Sequence, residues 1–149
     1  MGLDMYLNKE VYVGAEFKHR NVTGKIKISV GKEPLPVNFQ KVVSITERAG
    51  YWRKANAIHR WFVENVQDGE DNCARYYVST EAAKRLLSLV EAVLADYSKA
   101  AELLPAASGF FFGGTAYDDY YFDNLRYTKE VMEAVIADKD GDYYYQSSW

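Results

Sequence analysis

The chain has 149 residues, a formal net charge of −3 and a single cysteine, Cys73. A domain of this length buries roughly two thirds of its unfolded surface, so it needs no metal or disulfide to fold, and one cysteine excludes an intrachain disulfide. The negative net charge argues against broad nucleic-acid binding, although it is compatible with a small basic site. No apolar run approaches the roughly 20 residues that a membrane span needs.

Alternating and β-branched residues predict strands in the first third of the chain. The predicted strands are residues 3–8, 11–17, 25–30 and 41–47. Pro34 and Pro36 interrupt regular structure, so we expect a loop between the last two of these strands.

Apolar residues at helical spacing predict three helices after residue 50. They cover residues 53–66, 80–104 and 116–137, with Ser79 and Thr115 as N-caps of the second and third. The buried face expected for the third helix is Tyr121, Leu125, Thr128, Met132 and Val135. Residues 74–78 suit either a strand or a loop, and residues 143–148 have the composition of a final strand.

Strands first, helices next and one closing strand are the pattern of an α+β domain. We expect a single domain, residues 1–149, in which residues 3–8, 25–30, 41–47 and 143–148 form one mainly antiparallel sheet that is packed by about three helices. The final strand should return to the N-terminal sheet, because an isolated strand leaves its backbone groups unpaired.

The transition from strand to helix near residue 53 carries the most informative cluster of side chains. Unpaired backbone N–H groups and the positive end of the helix dipole make such a junction suitable for an anion. Arginine and lysine add charge, and planar aromatic rings could enclose a base or sugar. The candidate ligand-binding residues are Tyr51, Trp52, Arg53, Lys54, Asn56, His59 and Phe111.

Two other interpretations of this cluster stay open. The polar residues could form a solvated helix face, with His59 half-buried beside Phe62 or Val63. Alternatively, His59 could act as an acid or base near neutral pH. The spacing of His59 and Cys73 gives no support for a catalytic pair of base and nucleophile. A zinc site is also not expected, because the chain contains too few His and Cys residues to supply four ligands.

The glycine-rich loop at residues 112–115 precedes the third predicted helix. It matches neither the P-loop nor the dinucleotide fingerprint, and Asp118 and Asp119 place negative charge where a phosphate would lie. We interpret it as a structural turn, with close approach by a planar ligand near residues 110–112 as the alternative use. No cofactor and no metal are expected.

Four segments resemble a family of small phage and prophage proteins of uncertain function. They are MGLDMYL at residues 1–7, GYWRKANAIH at 50–59, GFFFG at 109–113 and DYYYQSSW at 142–149. The resemblance spans the chain and implies a bacterial host cell, but it supplies no catalytic residue. Because the start also lacks the regions of a secretory signal, and the lone cysteine suits a reducing compartment, we expect a cytoplasmic protein.

Small phage accessory proteins often act by binding, and this analogy gives the leading functional hypothesis. The protein would bind a small anionic, nucleotide-like ligand or a host protein, and counter-defence is a role that such binding would serve. The alternative is a small enzyme that acts on a phosphorylated or nucleotide substrate with His59 as acid or base. The first is favoured because the sequence contains no recognisable pair of nucleophile and base.

Overall fold

A four-stranded antiparallel sheet with helices against one face forms the body of the protein, as seen in a computed structural model. The structure describes residues 2–14, 19 and 24–149. Its strands are β1 (Asp4–Tyr12), β2 (Ile28–Val30), β3 (Glu33–Leu35), β4 (Ser44–Arg53), β5 (Tyr76–Val78) and β6 (Asp142–Ser148). Its helices are α1 (Asn56–Asn65), α2 (Thr80–Ala95), α3 (Ala100–Leu103) and α4 (Asp119–Ala137), which confirms the predicted α+β class.

The sheet has the strand order β4-β1-β6-β5, so the first and last strands of the chain are central neighbours. Met5 lies between Trp52 of β4 and Ser147 of β6, and all three are buried on the side of the helices. Gly50 permits this packing, because a Cβ there would lie 2.8 Å from the Trp52 ring. The predicted return of the C-terminal strand to the N-terminal sheet is confirmed.

The helices bury the apolar faces that their spacing predicts. All five residues expected on the inner face of the third helix are buried in α4. α1 buries Ile58, Trp61 and Phe62, and α2 packs against α4 through residues that include Leu86 and Val90. No helix in the described ranges is long and apolar enough to span a membrane.

The prediction that residues 25–30 join the main sheet is wrong. Among the described residues, β2 pairs only with β3 in a separate two-stranded hairpin, whose turn contains Gly31 at a φ of +62°. The prediction of a loop at the prolines is also wrong at Pro34, because this residue lies inside β3, opposite Ser29. A two-stranded hairpin leaves one edge of each strand unpaired, so it tolerates a residue without an N–H. Of the strand predicted at 11–17, the first two residues extend β1, and residues 15–18 lie outside the described residues.

Several predicted boundaries also shift for local reasons. The strand predicted at 41–47 is β4, which runs on to Arg53, so the first helix begins at Asn56. The helix predicted over 80–104 stops at Asp96, whose carboxylate accepts from the Ser98 backbone N–H and starts a short 3₁₀ turn. Asp118, rather than Thr115, caps the last helix. Residues 76–78 form a strand.

Candidate functional site

The connection between β4 and α1 consists of two residues, Lys54 and Ala55. Lys54 adopts a φ of +54°, and its backbone N–H donates to the Leu3 carbonyl at 2.7 Å. Ala55 stands at the N-cap position and has no side-chain oxygen, so no side chain caps α1. The first N–H groups of the helix therefore point out of its end, and no side chain of the described residues accepts from them.

A pocket of about 100 Å³ lies at this end of α1, bounded by the loop at residues 113–116 and the first turns of α4. Its polar lining is mixed in charge, since Lys54 faces it from one element and Asp118 from another. The residues that line it are Lys54, Ala55, Asn56, Ala57, Ile58, Gly113, Gly114, Ala116, Asp118, Tyr120, Tyr121, Asn124 and Leu125. The pocket thus joins the N-terminal ends of two helices.

Tyr120, Tyr121 and Asp118 hold the α4 side of the pocket in place. The Tyr120 hydroxyl donates to the Arg53 carbonyl, and the Tyr121 hydroxyl donates to the Leu104 carbonyl at 2.7 Å. Burial raises the pKa of Tyr121 well above its ordinary value, so this hydroxyl stays protonated as a donor. The Asp118 carboxylate accepts from the Tyr121 backbone N–H at 3.1 Å, which caps α4.

Asn56 anchors the loop that forms another wall of the pocket. Its Nδ2 donates to the carbonyls of Phe112 at 3.1 Å and Gly114 at 2.8 Å, and its Oδ1 accepts from the Ala107 N–H at 3.0 Å. With its side chain used in this way and only 5% of the residue exposed, Asn56 shapes the pocket rather than offering its amide to a ligand. The glycine-rich loop is therefore a structural turn bonded to α1.

His59 lies in a buried network outside the pocket lining. Its Nε2 is 2.9 Å from an Asp71 carboxylate oxygen, and its Nδ1 is 2.7 Å from the Tyr145 hydroxyl. Burial raises the pKa of Tyr145 well above its usual range, so that hydroxyl keeps its proton. Phe112 packs edge-on to the imidazole, and the Trp149 indole N–H donates to Asp71. With 1% exposure and both nitrogens engaged, His59 connects α1 to the last strand.

The other candidate residues do not converge on the pocket. Trp52 is 1% exposed, and its indole N–H donates to Thr128 at 2.9 Å inside the core. Tyr51 lies on the open face of the sheet, where its hydroxyl donates to Asp4, and this contact raises the Tyr51 pKa. Arg53 is exposed at the end of β4.

Phe111 accepts a hydrogen bond from Leu3 through its carbonyl at 3.1 Å. Its ring is absent from the pocket lining, as are those of Tyr51 and Trp52. Of the seven candidates, Lys54 and Asn56 line this pocket, and the other five lie elsewhere in the structure.

Sequence reasoning missed several residues because their partners are distant in the chain. Tyr120 and Asn124 line the pocket from one face of α4, and only their spacing of four could have suggested a shared face. Tyr145 is 86 residues from His59, and no local pattern indicates that they meet. Comparison of the chain with protein-family models, with curated proteins and with solved structures gave no match.

Proposed function

We propose that this chain is a phage or prophage accessory binding protein that takes the anionic group of a small ligand at the N-terminus of α1. The observation that carries the proposal is an uncapped helix end that opens onto a pocket beside Lys54. Backbone N–H groups, the helix dipole and a lysine ammonium all favour an anion at that point. The resemblance to phage and prophage proteins supplies the biological setting, including a role in counter-defence.

The size and polarity of the pocket narrow the class of ligand. A volume of about 100 Å³ is below the roughly 300–1,000 Å³ of pockets that enclose a whole drug-sized molecule. It suits a single phosphate or carboxylate group, with the remainder of the ligand outside. Asp118 and Asn124 on the opposite side suit hydroxyl or amine donors of the same ligand. A nucleotide-like molecule combines these features.

A host protein is the other partner for this binding role, and it would present a carboxylate or phosphorylated side chain to the same pocket. An enzyme that uses His59 as acid or base is less well supported. A general acid or base must reach the substrate, whereas His59 is 1% exposed and already bonded to Tyr145 and Asp71.

The test is a thermal-shift titration with inorganic phosphate, AMP and cyclic dinucleotides up to millimolar concentration. A ligand that binds the native state raises the melting temperature by mass action, so we expect a concentration-dependent rise for the wild type. Lys54→Ala should lose most of that rise while remaining folded, because Lys54 is exposed.

Lys84→Ala provides the matched control, since Lys84 is an exposed lysine on α2 that does not line the pocket. It should respond to the ligand as the wild type does. The small-molecule proposal fails if no compound shifts the melting temperature. It also fails if Lys54→Ala and Lys84→Ala behave alike.

A further inference from the structure

Positive charge is concentrated in one continuous stretch of the chain, residues 24–54, which comprises the β2–β3 hairpin, β4 and Lys54. The basic residues of this stretch are Lys25, Lys27, Lys32, Lys41, Arg48, Arg53 and Lys54. Only Glu33 and Glu47 oppose them, so the stretch carries +5 in a chain with a net charge of −3. The chain is therefore acidic as a whole but contains one segment, residues 24–54, with a net positive charge. We call it the basic segment.

All seven basic side chains of this segment are exposed. None of them forms an ion pair with a carboxylate in the described part of the chain. Elsewhere, Arg60, Arg75, Arg126 and Lys129 each have a carboxylate partner. The unneutralised charge of the basic segment is thus available to an anionic partner.

Aromatic rings accompany the basic residues on the open face of β4 and β1. The Arg48 guanidinium lies 5.0 Å from the centre of the Tyr6 ring and 5.8 Å from that of Tyr51. The two rings are 5.5 Å apart, and 38% of Tyr51 is exposed. Trp52, the neighbour of Tyr51 in β4, points into the core, which places Tyr51 on the face away from the helices.

The hairpin is attached at the other end of β4. A Cβ built on Gly24 would lie 3.3 Å from the Phe39 ring, and the Val43 carbonyl accepts from the Val13 N–H at 2.9 Å. These contacts hold both ends of the hairpin segment near the start of β4. The lysines of the hairpin therefore belong to a segment whose two ends meet shortly before β4 begins.

We propose that the basic segment binds single-stranded nucleic acid. A second copy of this chain is a poor occupant, because an isologous contact would bring two +5 segments together. An acidic protein surface would satisfy the charges as well, and the poly-glutamate peptide used below tests for it. Unpaired bases stack on such planes while phosphates bind lysine and arginine, and paired bases in a duplex do not offer their faces.

The test is fluorescence anisotropy with labelled oligonucleotides of about 12 nucleotides, a length within the range of known single-strand sites. The probes are a single strand, the matching duplex, an abasic strand of equal length and a poly-glutamate peptide. We expect the single strand to bind most tightly and the affinity to fall as salt rises, with a slope of about −0.7 per phosphate contact. The proposal is overturned if the single strand does not bind at low salt, or if the duplex, abasic strand or peptide binds equally well.

Two variants separate the contributions of charge and stacking. Lys27→Ala/Lys41→Ala should weaken every anionic probe and reduce the salt slope by about 1.4, because two phosphate contacts are lost. Tyr51→Ala should weaken the normal strand by about 5- to 100-fold and leave the abasic strand unchanged, as expected for one lost stacking contact.

Lys84→Ala/Arg85→Ala is the control, because both residues are exposed on α2 and lie outside the basic segment. It should bind the single strand like the wild type. An equal loss in this control would mean that the charge of the whole surface, rather than the basic segment, is responsible, and would overturn the proposal. None of the test residues Lys27, Lys41 and Tyr51 lines the pocket at α1, so this result is independent of the small-ligand test.

Discussion

At the scale of single residues, Asn56 holds the loop that forms one wall of the candidate site. Its side chain forms three hydrogen bonds to the backbone of residues 107, 112 and 114, all outside its own helix. A buried amide whose partners are all backbone groups fixes a loop that has little regular structure of its own. Only an amide of this length can supply two donors and one acceptor at that position.

Asn56→Ala should therefore destabilise the protein by about 1–3 kcal/mol, because two carbonyls and one N–H lose their partner in part-buried hydrogen bonds. Urea unfolding followed by far-UV circular dichroism measures this change. Gln40→Ala, at an exposed position, should stay within about 0.5 kcal/mol of the wild type. An equally small effect for Asn56→Ala would show that the loop does not depend on this side chain.

At the scale of secondary-structure elements, α2 buries only one of its sides. The predicted helix over 80–104 ends instead at Ala95, where Asp96 caps the next turn. Within α2 the buried residues Ala83, Leu86, Val90 and Val93 recur every three or four positions, so Leu94 lies at the flank of this stripe and is only partly buried. Leu86, two turns earlier, is fully buried.

Leu86→Ala should cost about 2–5 kcal/mol, as expected for a leucine that leaves a cavity in a packed core. Leu94→Ala should cost about half as much, because part of its side chain is already in contact with water. Comparison of the two urea midpoints tests which side of α2 faces the core. Equal losses, or a larger loss at Leu94, would contradict the observed difference in burial.

At the level of the whole molecule, β6 holds the sheet together. It pairs with β1 on one side and with β5 on the other, and β5 has no other partner strand in the described structure. Its inward side chains Tyr143 and Tyr145 are buried in the core, and the Tyr145 ring stacks on Phe62 of α1 at 4.0 Å.

Deletion of residues 142–149 should consequently prevent folding, because it removes a central strand, leaves β5 without its partner strand and exposes one edge of β1. Loss of chemical-shift dispersion in an amide NMR spectrum would report this outcome. Deletion of Trp149 alone removes one exposed hydrogen bond to Asp71 and should leave the protein folded. A folded protein without β6 would contradict the strand order.

Local patterns in the sequence determined the fold class, the buried face of α4 and the strand character of the last residues. These features depend on spacing within one element, which hydrophobic periodicity records directly. The same periodicity failed for residues 25–30, because alternation indicates a strand but not the sheet that it joins. Residues 28–30 are exposed in a hairpin instead.

Only the tertiary structure decided which polar residues form the pocket. The sequence placed Arg53, Lys54, Asn56 and His59 together at the start of a helix, but successive residues at a helix start point in different directions. In the folded protein, a hydrogen bond with Tyr145 of β6 holds His59 in the core. Hydrogen bonds to the loop before α4 occupy the side chain of Asn56. The partners of these side chains lie 86 and 58 residues away, and such long-range contacts leave no periodic signal in a single sequence.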